Sequence, residues 1–125
     1  MLVDSDVLIW YLRGNENAAE FLNGLATLDV SAVSYMELVQ GCRNKQELER
    51  LKRDFAARQA RVAAITEPIC MRAMTLLEAH FLGDGLQMAD ALIAATALEL
   101  RTAVVTANVK HFQVIDQLAV QPVTP

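Results

Sequence analysis

Four short stretches of the chain set polar side chains among strongly apolar neighbours. In MLVDSDVLIW, Asp4 and Asp6 interrupt a run that otherwise avoids water, and an ionised carboxylate there is costly unless paired, hydrogen-bonded or bound to a cation. SYMEL holds Glu37, MADALIAATAL holds Asp90, and VVTANVKHF holds Thr106 and Asn108. Three carboxylates brought together without basic partners would repel one another and resist ionisation. A divalent cation resolves that conflict, and an all-oxygen ligand set suits magnesium or manganese. Such an ion lowers the pKa of a bound water and stabilises charge on a phosphodiester under attack.

Each of these residues also has a purely structural reading. Asp4 is a good N-cap for a helix that follows a short strand. Ser34 followed by Glu37 matches a capping box. Asp90 can sit in the first turn of its helix, where the backbone dipole favours a negative charge. Yet Asp90 lies among Met88, Ala89, Ala91, Leu92 and Ile93, with no Lys or Arg near it in sequence. Asp6 could equally cap the first helix. Asp84, in LGDGL, has turn composition. His80 reads as a helix C-terminal residue and His111 as part of a KHF turn.

Positioning these side chains requires strands that alternate with helices. The pattern predicts strands over 1–4, 29–33, 61–65 and 103–106, with Val114-Ile115 as a short fifth. Helices are expected over 6–12, 16–26, 34–42, 45–60, from Thr66-Glu67-Pro68 to about Leu82, and over 88–100. Arg13-Gly14-Asn15 interrupts the first pair. This alternation implies an α/β domain with a central, mainly parallel sheet of four to five strands. Ligands in such sheets bind beyond the carboxyl ends of the strands, where Asp4, Glu37, Thr106 and Asn108 all fall.

The chain has 125 residues, 54% hydrophobic and 21% charged, which suits one domain (1–125) with a sizeable core. No apolar run reaches the length of a membrane span, and the N-terminus lacks the pattern of a secretion signal. Cys42 and Cys70 read as reduced thiols in a cytoplasmic protein. The net charge of −4 argues against a general nucleic-acid binder. Charge is nevertheless uneven: Arg43, Lys45, Arg50, Lys52, Arg53, Arg58 and Arg61 are seven of the eleven basic residues. That stretch is either an ordinary solvated helix face or a phosphate-steering surface.

Taken together, VDSDVLI, SAVSYMEL, MADALIAATAL and VVTANVKHFQVI resemble the PIN-domain ribonucleases, in particular the VapC-like toxins of bacterial toxin–antitoxin pairs. The resemblance spans nearly the whole chain and implies a three-layer α/β/α PIN-like fold. It further implies a magnesium- or manganese-dependent endoribonuclease, dimeric and restrained by a small DNA-binding antitoxin. By position, Asp4, Glu37 and Asp90 match the family's first three acids and its metal ligands. Asn108 stands where a fourth acid is often found, so it can orient a water or phosphate but adds no charge. Thr106 resembles the family's strand-end hydroxyl. Two other functions remain open: a haloacid-dehalogenase-like phosphatase using Asp4, with Asp84 and Asp90 near its metal, and a decayed PIN module that binds without cutting.

Overall fold

A computed structural model describes residues 1–125. Five strands form one parallel sheet in the order β3-β2-β1-β4-β5. They are β1 (Leu2–Val3), β2 (Asp29–Ser31), β3 (Arg61–Ala63), β4 (Val104–Thr106) and β5 (Val120–Pro122). The helices are α1 (Ser5–Leu12), α2 (Glu16–Asn23), α3 (Ala32–Gln40), α4 (Lys45–Ala57), α5 (Glu67–His80), α6 (Met88–Leu100) and α7 (Val109–Phe112).

Successive strand residues point to opposite faces, and this divides the core in two. Leu2 and Val104 join Ile69, Ala73, Ile93, Ala94 and Phe112 under α5, α6 and α7. Val3, Val30 and Val105 join Val7, Leu8, Leu22, Leu38 and Leu51 under α1 to α4. A parallel sheet covered on both faces needs this continuous apolarity in its strands. The result is the three-layer α/β/α architecture with a five-stranded parallel sheet. No helix is long and apolar enough to cross a membrane.

Three local expectations change. The fifth strand is Val120–Pro122, paired with β4, and not Val114-Ile115. Ile115 instead closes a turn onto Phe112 and is buried. Pro122 obscured the strand in the sequence because proline cannot donate to a ladder, but β5 is an edge strand, where proline is tolerated. Helix α3 starts two residues early, with Ser31 as its N-cap, accepting from the Val33 amide at 3.2 Å. The Ser34–Glu37 capping box therefore does not form, and the buried Ser34 hydroxyl has no hydrogen-bond partner. Helix α5 ends at His80, whose Nδ1 lies 2.7 Å from Asp84 Oδ2.

Chain order places the reversal of the sheet between β1 and β4. From β1 the chain builds outward through β2 and β3, then returns to the other side of β1. A crevice opens at such a switch point, beyond the carboxyl ends of the two strands. Asp4 and Thr106 stand there.

Candidate active site

Asp4 directly follows β1, is 7% exposed and caps α1. Its Oδ1 accepts the Ser5 amide at 2.8 Å, and its Oδ2 accepts the Thr106 hydroxyl at 2.9 Å. The capping reading is thus correct for one oxygen, while the other faces the crevice at the end of β4. Asp6 enters the same network. Its Oδ2 lies 3.2 Å from Thr106 Oγ1 and accepts the Ala107 amide at 3.1 Å. Thr106 has one hydroxyl proton for two carboxylates, and its oxygen also accepts the Asn108 amide at 2.9 Å. The strand-end hydroxyl expected from the sequence is therefore the hub of the site.

Burial pushes the Asp4 carboxyl up from an ordinary 3.8 to about 7. The negative charges of Asp6 and, more weakly, Asp90 add to that rise, while the hydrogen bonds from Thr106 and Ser5 oppose it. Ion pairs elsewhere use Arg43, Arg61 and Arg72; no lysine or arginine pairs with Asp4. The cluster is therefore an electrostatic deficit that a cation would relieve.

Glu37 approaches from the second turn of α3. Its Oε1 accepts the Ser5 hydroxyl at 3.1 Å, and the same hydroxyl lies 3.4 Å from Asp4 Oδ1. Ser5 thus joins the first and second acids, which do not touch directly. Asp90 is the third residue of α6, and its Oδ2 accepts the Gln87 amide at 3.3 Å. A capping contact of the kind expected at Glu37 is found here instead. The same oxygen lies 3.2 Å from His111 Nδ1, and Asn108 Nδ2 lies 3.1 Å from that ring nitrogen. His111 Nδ1 thus lies within reach of both Asp90 and Asn108.

Asp4, Asp6, Glu37, Asp90, Thr106 and Asn108 are gathered at one end of the sheet, whereas Asp84 is engaged by His80 elsewhere. No three Asp, Glu, His or Cys side chains stand ready to grip one ion together. That arrangement still fits magnesium, which commonly takes one or two carboxylates and keeps several waters. Ser5 and His111 were missed in the sequence. Ser5 could have been found as the residue between two acids at a helix start. His111 carried no sequence signal, because its partner lies 21 positions earlier, across a strand.

The hub makes a stability prediction. Thr106→Val keeps the side-chain shape but leaves Asp4 Oδ2 and the Asn108 amide short of a partner in a fully buried spot. The expected loss is about 2 kcal/mol, measured by urea unfolding at neutral pH. A loss below about 0.5 kcal/mol, the scale of a surface substitution, would mean that Thr106 is not the hub.

Comparison with known proteins adds a second line of evidence. A family model described as "PIN domain" matches residues 1–118. Ribonuclease VapC10 of Mycobacterium tuberculosis is 37% identical over 124 residues, spanning 94% of this chain and 90% of that protein. Among solved structures, VapBC-1 from nontypeable Haemophilus influenzae superposes with a TM-score of 0.80 at 26% identity, covering 97% of this chain and 96% of that one. A toxin–antitoxin complex from Klebsiella pneumoniae matches with a TM-score of 0.80 at 24% identity, over 94% of both chains.

Proposed function

We propose, from the premise that this chain belongs to the PIN domain family, that it is a magnesium- or manganese-dependent endoribonuclease. The observation that carries the proposal is Asp4: a buried carboxyl, pushed up to about 7, crowded by Asp6 and Asp90 and without a basic partner. Such a group is poorly explained as a cap alone, since a cap does not need a second and third acid beside it. The relative named as a ribonuclease supports phosphodiester hydrolysis as the reaction.

In this reading Asp4 and Asp90 hold the cation, and Glu37 completes its surroundings. When bound, the ion supplies an acidified water and stabilises charge on the phosphate. The chain's own residues fix the rest. Thr106 and the Ser5 amide hold the Asp4 carboxylate in one orientation. Ser5 anchors Glu37 through Oε1, which leaves Oε2 free to accept a hydrogen bond from the attacking water. Asn108, beside His111, takes the role of orienting a phosphate oxygen in this proposal.

The chain is further proposed to be the cytoplasmic toxin of a toxin–antitoxin pair, working as a homodimer with residues 1–125 as its nuclease domain. The resemblance to VapBC-1 and to the Klebsiella complex supports an antitoxin partner. Exposed Met71 and Met74 on α5, with Phe81 and Leu82 after it, support an interface between copies. The phosphatase alternative is weakened because Asp84, which it needs near the metal, is held by His80.

The deciding experiment is incubation of the purified protein with RNA and mapping of the cut ends. Internal cleavage with Mg2+ or Mn2+, lost in EDTA, is expected. Binding without cleavage at any metal concentration would favour a decayed module, and a phosphorylated Asp4 would favour the phosphatase.

A further inference from the structure

We propose that Asp6 is a positioning residue for the cation: its carboxylate is the second acceptor that lets the buried Thr106 hydroxyl turn away from Asp4 when the site is loaded. This rests on the metal-dependent reading above and extends it to an acid that the reading leaves without a role.

Asp6 is held in place. It lies in the first turn of α1, where the helix dipole favours a negative charge. Its Oδ1 accepts the Val7 amide at 2.7 Å and its Oδ2 the Ala107 amide at 3.1 Å. Donors from α1 and from the residue after β4 therefore fix the carboxylate from two sides.

Thr106 is the partner that can change. Its Oγ1 lies 2.9 Å from Asp4 Oδ2 and 3.2 Å from Asp6 Oδ2. Its one proton reaches either oxygen by rotation about a single bond, with no heavy atom moving. The Asn108 amide donates to the same hydroxyl oxygen at 2.9 Å in both settings. Thr106 is fully buried, so bulk water offers no third acceptor.

In the empty site the shorter contact marks Asp4 as the acceptor, and it steadies a carboxylate that has no basic partner. A cation on Asp4 reverses that preference, because a hydroxyl proton aimed at an oxygen that also holds a divalent ion is repelled by the ion. Turned toward Asp6, the proton meets a fixed negative charge and leaves Asp4 Oδ2 to the ion. Without the Asp6 carboxylate, loading the site strands a buried hydroxyl donor. The plainer alternative is that Asp6 acts only by adding negative charge near the ion, and the test separates the two.

The probe is MgCl2 titrated into the full chain, followed by calorimetry and by melting curves with no RNA present. Asp6→Asn keeps the side-chain shape but leaves one acceptor oxygen for three donors. It should weaken Mg2+ binding about tenfold, the scale of losing a group that orients a metal ligand. In the Thr106→Val background there is no proton to redirect, and the same change should cost about twofold or less, as for independent sites. Thr106→Ala supplies a second hydroxyl-free background if Thr106→Val does not fold. Thr106→Ser, which keeps the hydroxyl, should retain the full cost. An equal cost of Asp6→Asn with and without the hydroxyl would overturn the proposal and assign Asp6 a charge effect alone. So would no cost in any background. In both cases Mg2+ still binds the parent, and the metal-dependent reading stands. A parent whose heat signal and melting temperature respond to neither Mg2+ nor Mn2+ removes both.

Discussion

Replacing Asp4 with Asn should abolish RNA cleavage, by about 10³-fold or more, while making the metal-free protein more stable at pH 8. The first effect follows from removing the charge that holds the cation where the phosphate reacts, a loss on the scale of a missing transition-state contact, about 4 kcal/mol. The second follows from burial. Asn is as good an N-cap as Asp, so the cap of α1 survives. The repulsion from Asp6 and Asp90 disappears, and no buried charge has to be ionised. Cleavage is read from labelled RNA and stability from thermal unfolding in EDTA. An Asp4→Asn protein that cuts RNA at the parent's rate would sink the assignment. One that is inactive but also unfolded would remove the claim that this carboxylate is tolerated and not required by the fold.

Stability of the metal-free protein should fall as pH rises from about 4 to about 7. The folded Asp4 carboxyl holds its proton up to about 7, whereas the unfolded chain releases it near 3.8. Between those values the folded state binds more protons, so each added pH unit favours unfolding. Below 3.8 both states are protonated, and above about 7 both are ionised, so the change is confined to that window. Its size is at most about 4 kcal/mol, three units at about 1.4 kcal/mol each. Saturating Mg2+ should raise the melting temperature more at pH 8 than at pH 5, because at pH 5 binding must first displace the proton. The check is a set of melting curves in EDTA and in MgCl2 for parent and Asp4→Asn. A parent profile flat with pH in EDTA, or equal Mg2+ shifts at both values, would mean that Asp4 does not titrate as its surroundings dictate.

The sheet was legible because buried parallel strands need unbroken apolar runs, and Leu2-Val3 and Val104-Val105 supply them. Asp4 and Asp90 stood out for the same reason, as charges where apolarity was otherwise complete. The start of α3 was not legible. Ser31 and Ser34 are both good caps, and the choice fell to Ser31 because β2 ends where its pairing with β3 ends, at Ser31 opposite Ala63. Val120–Pro122 was hidden because its proline disfavours strands except at an edge, and edges are decided by the whole fold. In the sequence Asp6 stands open between a cap and a site residue; it accepts from Thr106 and Ala107, contacts that exist only once β4 lies beside β1. His111 of α7 reaches Asp90 of α6 only once the chain has passed through β4. The local code reveals which acids are out of place, while long-range pairing determines what surrounds them.

The hydroxyl of Thr106 lies 102 positions along the chain from the carboxylate it holds. During synthesis, Asp4, Asp6 and Glu37 emerge from the ribosome long before β4 exists to dock beside β1. A nascent chain therefore carries its acids without the strand that gathers them, and the site closes only when β4 docks beside β1.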